Sequence, residues 1–176
     1  MQVFADRGYH AARVDDIVKA AKTSHGTFYL YFANKEELFT ALAAEVAEQM
    51  RSLADAFPAV PPGPEGEQVL RDWLERFTEL YERYAPVVRA WTEAEIAQDG
   101  VGRIGEELLT GFSAALAARV AETQDPDVYA PVAGTALLAM IERLNYYVIT
   151  DQLSLPRAAM LDTLARVTHA AMYGAA

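Results

Sequence analysis

Apolar residues recur three and four positions apart along almost the whole chain, and no stretch alternates as a half-buried strand would. That spacing restricts the fold to packed helices, an all-α architecture. Leu38, Leu42, Val46, Met50 and Leu53 trace one stripe, and Asn34 stands ahead of it as a helix cap. The segment FPAVPPGPEGE, 57–67, ends the stripe, because its prolines and glycines cannot continue a helix. Leu70, Trp73, Leu74, Phe77, Leu80, Tyr81 and Tyr84 then mark a second long amphipathic helix. Pro86 opens a shorter one through Val87, Val88, Trp91 and Ile96. The glycine-rich QDGVGRIG, 98–105, reads as a flexible loop leading into a helix from about Arg103 to Thr123. QDPD closes that helix, with Pro126 suited to the first turn of the next. Two helices remain, about 127–150 and 156–172. Within them AGTALLAMIERLNYYVI is almost apolar all round, so it needs cover on every side, which points to a partner subunit.

Several function classes drop out early. No apolar run reaches the roughly 20 residues of a membrane-spanning helix, and MQVFADRGYH lacks the basic-then-apolar layout of a secretory leader. There is no cysteine, hence no disulfide framework and no thiolate nucleophile or ligand. These features fit a cytoplasmic protein with no membrane partner. His10, His25 and His169 are scattered without metal-site spacing, so no metal site, catalytic residue or cofactor is expected. Gly100, Gly102 and Gly105 have dinucleotide-loop spacing, but no strand precedes them. The net charge of −10 belongs entirely to the chain beyond residue 40, because five Lys/Arg balance five acids before it. An acidic body repels a polyanion; a neutral head with exposed cations need not.

The head carries the densest signal. Val14, Ile17, Val18 and Ala21 make a two-turn helix with Asp15 and Asp16 in its first turn, where carboxylates favour the dipole. A short turn follows, and Thr23 or Ser24 caps a second short helix. Those are the proportions of a helix-turn-helix. In KTSHGTFYLYF, Phe28 and Phe32 lie four apart on one face and pack inward onto Ile17. The other side presents Gly26, Thr27, Tyr29, Leu30 and Tyr31. A helix entering the major groove needs that mixture: a small residue, hydroxyls and an apolar group for thymine methyls. Lys35, at the start of the next helix, is within reach of a phosphate.

Phe4, Gly8, Tyr9, Val14 and Ile17, followed by SHGTFYLYFANKEEL, together resemble the DNA-binding domain of the TetR (tetracycline repressor) family. The resemblance covers about residues 4–42; beyond that it is one of architecture. It implies a helix-turn-helix domain over 1–42 and an all-helical ligand-binding and dimerisation domain over 43–176. It further implies a homodimer, joined through helices about 127–150 and 156–172, that binds double-stranded palindromic operator DNA. The implied DNA contacts are His25, Gly26, Thr27, Tyr29, Leu30, Tyr31 and Lys35, with Arg13 as a phosphate contact; the turn residues Thr23 and Ser24 complete the set. Three departures stand out. Only seven residues precede Gly8, so the first helix is expected to be truncated and to add little core. Ala12-Arg13 replaces the usual Thr or Ser cap, a loss of about 1 kcal/mol. Lys22 replaces a turn glycine, so a positive φ there carries strain.

In the body, Trp73, Phe77, Tyr81, Trp91, Phe112, Met140, Arg143, Tyr146 and Tyr147 are the candidate ligand-binding residues. So many large rings with few charges suit a small apolar or aromatic effector better than a phosphorylated one. Glu142, Arg143 and Asn145 interrupt an apolar helix as an interfacial pair, a polar pocket floor or a solvated edge, Asn145 being a candidate for a bond across a dimer helix. The reading is a ligand-responsive DNA-binding transcriptional regulator, a repressor released from its operator by effector. Its alternative is a helical dimeric ligand-binding protein with impaired DNA binding.

Overall fold

The computed structural model describes residues 2–85, 99–123 and 127–174. Its helices are α1 (Gln2–Ala11), α2 (Val14–Ala20), α3 (His25–Tyr31), α4 (Lys35–Asp55), α5 (Pro64–Arg83), α6 (Asp99–Glu122), α7 (Ala130–Ile149) and α8 (Arg157–Tyr173). The described residues contain no strand, in line with the three-and-four spacing. None of their helices is long and apolar enough to cross a membrane. The expected helix after Pro86, its Trp91 and the expected role of Pro126 lie outside the described residues. The chain forms two compact units: Met1–Gln49 with Arg83–Glu106, and Met50–Glu82 with Glu107–Ala176.

In the first unit, the rings of Phe4 and Tyr9 pack on Phe39 at centroid distances of 5.5 and 4.8 Å. Phe4 is 3% exposed and Phe39 1%. The short first helix therefore does supply core, contrary to the expectation from its length, because one well-placed phenyl ring closes the seam. Gly8 breaks α1 with φ 73°, a conformation open to glycine and strained for other residues. The buried line of α4 also differs from the leucine stripe. It runs through Phe39, Ala43, Val46 and Ala47, and Met50 and Ala54 continue it in the second unit, whereas Leu38, Leu42 and Leu53 are half-buried. Alanines let neighbouring backbones approach closely, and reading by side-chain size overlooks them.

In the second unit, α5 buries Leu70, Trp73, Leu74, Phe77, Thr78 and Tyr81. Its outer edge meets α8 through Arg71–Asp162 at 2.7 Å, Glu67–Arg166 at 3.6 Å and an Arg157–Glu82 pair. Such exposed pairs orient the helices and add little stability. Helices α6 and α7 cross at Gly134, where a Cβ would lie 2.5 Å from the Ser113 carbonyl oxygen and 2.6 Å from the Ala117 nitrogen. Only a residue without a side chain permits that approach.

Helix α6 starts at Asp99, so DGVGRIG, 99–105, belongs to the helix rather than to a loop. Each glycine costs a helix about 1 kcal/mol, a deficit the surrounding fold overrides. Asn145, 1% exposed, does not reach across a dimer helix. Its Oδ1 accepts from Thr78 Oγ1 at 2.8 Å and its Nδ2 donates to the Ile141 carbonyl at 2.8 Å. A buried amide is held where its groups are bonded, and α5 supplies the partner.

Candidate nucleic-acid interface

The geometry of the head follows from its caps. Arg13 precedes α2 in an extended conformation without a side-chain cap bond, as Ala12-Arg13 foretold. Helix α2 closes through Thr23 N–H to the Val18 carbonyl, 2.9 Å, and Lys22 N–H to the Lys19 carbonyl, 3.1 Å. That paired pattern puts Lys22 at the left-handed position that usually holds glycine, and its φ is 51°. Lys22→Gly is therefore expected to raise stability by roughly 0.5–1 kcal/mol, read as a higher urea midpoint with unchanged slope. A lower midpoint would show that the lysine side chain contributes more than the strain costs.

Ser24 then caps α3, its Oγ accepting from Thr27 N–H at 3.0 Å and lying 3.0 Å from Thr27 Oγ1. The next start is fixed just as firmly. Asn34 Oδ1 accepts from Glu37 N–H at 2.8 Å, and Glu37 Oε2 accepts from Ala33 N–H at 2.6 Å, a reciprocal cap on α4. With both ends fixed, α3 has one inward residue, Phe28, at 5% exposure. Phe32 sits just beyond the helix in an extended conformation, half-buried, its ring 5.7 Å from that of Phe28. Tyr29, Leu30 and Tyr31 are 56, 82 and 73% exposed. Thr23, Ser24, His25, Gly26 and Thr27 are exposed beside them. A Cβ at Gly26 would meet nothing nearer than Ser24 Oγ at 3.7 Å, so the protein's own packing leaves that backbone open to a partner.

The charged residues divide. Arg13, Lys19 and Lys22 are exposed. Arg7 pairs with Asp16 at 3.4 Å. His25 Nε2 lies 2.6 Å from Asp15 Oδ1, a bond that reading Asp15 only as a dipole partner missed. Lys35 Nζ donates to the carbonyls of Tyr9 at 3.0 Å and His10 at 3.4 Å and stands 4.7 Å from the Tyr9 ring centre. It closes the end of α1 from the start of α4, a structural duty the sequence spacing did not announce. Burial, and then the nearby Glu36 carboxylate, push the Tyr9 phenol above its ordinary pKa.

Two turns of helix, a tight bend and a capped helix bearing a protruding Tyr-Leu-Tyr surface have the form of a groove-reading head. Residues 1–42 match the family model of the bacterial regulatory proteins of the tetR family. These residues form a tetR-family head. The chain is 28% identical over 175 residues to the HTH-type transcriptional regulator EthR of Mycobacterium tuberculosis, covering 96% of this chain and 81% of EthR. The fatty acid metabolism regulator protein of Bacillus subtilis is 44% identical over 45 residues, 26% of this chain and 23% of that one. Among solved structures, the TetR-family regulator PfmR of Thermus thermophilus superposes with a TM-score of 0.68 at 20% identity, covering 97% of this chain and 93% of its own. FadR of Bacillus subtilis, in complex with stearoyl-CoA, gives 0.64 at 21% identity, covering 99% and 95%. These last two likenesses concern the fold.

The body of the chain strings most of the candidate ligand residues into a series. Trp73 lies 5.7 Å from Phe77 and 6.1 Å from Phe112; Phe77 lies 5.7 Å from Tyr81 and 5.6 Å from Phe112. Phe57, at the edge of the proline-rich segment, joins them 4.6 Å from Trp73. The Tyr81 hydroxyl donates to Glu142 at 2.8 Å. Burial foremost, and then that carboxylate, push the phenol well above its usual range. Glu142 lies 3.8 Å from the exposed Arg143, whose guanidinium stands over the rings of Tyr146 and Tyr147 at 5.3 and 5.9 Å. Met140 is half-buried. A separate open groove of about 650 Å³ runs between α6 and α7, lined by Leu109 and by small residues such as Ala114, Ala117 and Ala118. None of the candidate ligand residues borders it.

Proposed function

We propose that this chain is a transcriptional repressor that binds operator DNA through α3 and is released by a small apolar effector held in its helical body. The observation that carries the reading is the split of α3, with Phe28 buried and Tyr29, Leu30 and Tyr31 standing in solvent. Arg13, Thr23, His25, Gly26 and Thr27 extend that surface, and Ser24 and Lys35 hold the helices that form it. Residues 1–42 act as the DNA-binding head and 43–176 as the ligand-binding and dimerisation body, working in the cytoplasm and without enzymatic chemistry. The effector lies among Trp73, Phe77, Tyr81 and Phe112, with Met140, Arg143, Tyr146 and Tyr147 towards one end. The stearoyl-CoA held by FadR of Bacillus subtilis supports an acyl chain as the first effector to test.

A homodimer is part of the same proposal. Helix α7 leaves Val132, Ala136, Ala139 and Arg143 exposed along one side, and α8 leaves Ala159, Thr163 and Val167. Val132 and Val167 are 63 and 45% exposed. Helices this apolar need more cover than one chain gives them, and a second copy provides it.

The test is a mobility shift with DNA flanking the protein's own coding sequence, with and without stearoyl-CoA or free stearate. We expect a salt-sensitive shift reversed by one of the two lipids. Failure to shift any of that DNA at low salt would overturn the regulator reading, and a shift indifferent to both lipids would overturn the acyl effector alone.

A further inference from the structure

The bond between Asp15 and His25 adds little to the stability of the fold, since both side chains are more than half exposed, at 67 and 55%. It joins the first turn of α2 to the first residue of α3 and fixes an imidazole on the candidate DNA surface. An ionised carboxylate only accepts, so the 2.6 Å contact puts the proton on Nε2. In the neutral ring Nδ1 is then a bare acceptor, and it has no partner among the described residues. A phosphate, itself an acceptor, cannot bond to such a nitrogen. In the major groove the matching donors are the amino groups of adenine and cytosine.

We propose that Asp15 is a positioning residue for DNA recognition, holding His25 so that Nδ1 reads an amino-bearing base edge. This rests on α3 being the reading helix. A carboxylate beside a duplex repels phosphates, so Asp15 earns its place through the ring it orients. Without it the ring samples other rotamers and both tautomers, and its base preference fades.

The experiment compares the wild type, Asp15→Ala, Asp15→Asn, His25→Ala and the Asp15→Ala/His25→Ala double variant on one shifted duplex and its single-base-pair permutations. His25→Ala and Asp15→Ala should each lose about ten-fold in discrimination at the same base pair. The double variant should be no worse than His25→Ala. Asp15→Asn, whose amide oxygen still accepts from Nε2, should keep most of the preference. Loss spread equally over all duplexes, additive losses, or unchanged discrimination by Asp15→Ala would overturn the proposal. A wild type that binds no duplex would bring down the regulator reading together with it; a wild type that binds, with additive losses, brings down only the pair.

Discussion

Phe39→Ala is expected to destabilise the head by about 3–5 kcal/mol, the usual cost of removing a buried phenyl ring from a packed core. Phe39 is 1% exposed and lies against both Phe4 and Tyr9, so its loss opens a void where α1 meets α4. Lys35 holds the same junction from the other side through the Tyr9 and His10 carbonyls. Amide exchange in α1 and α2 should accelerate, and DNA affinity should fall with the folded population rather than through a lost contact. Unfolding followed by circular dichroism and exchange checks this. Wild-type exchange in α1 together with a lowered DNA affinity would mean that Phe39 acts at the interface, against the geometry.

Tyr29→Ala and Tyr31→Ala should do the reverse. Each removes a ring that is more than half exposed, so the unfolding midpoint should shift by no more than about 0.5 kcal/mol in stability. Each should nonetheless weaken operator binding, by on the order of ten-fold if the ring makes one good groove contact. Tyr29 also touches Phe28 edge-on at 5.3 Å, so its substitution carries the larger share of any stability change. Anisotropy titrations at two salt concentrations alongside melting curves separate the effects. Normal affinity for both variants would exclude this face from the DNA.

Much of the head was legible because its signals are local. Phe28 inward with Tyr29, Leu30 and Tyr31 outward follows from the helical period, and the caps at Ser24 and Asn34 follow from residue type. The strain at Lys22 followed from a lysine at a glycine position. What the sequence hid depends on partners distant along the chain. Lys35 finds carbonyls more than two dozen residues earlier, Asp15 finds His25 across a turn, and Asn145 finds Thr78 on another helix. The buried seam of α4 escaped because alanines decide it, and hydrophobic size is a poor guide to close approach. The start of α6 escaped because helical propensity yields to packing where glycines are concerned.

The central claim is that α3 is the surface this regulator lays against DNA. Amide exchange of the intact protein, with and without a duplex that it shifts, tests it directly. The account predicts slowed exchange concentrated in residues 24–31, with α7 and α8 unchanged. Slowing confined to the body, with 24–31 exchanging as in the free protein, would contradict it.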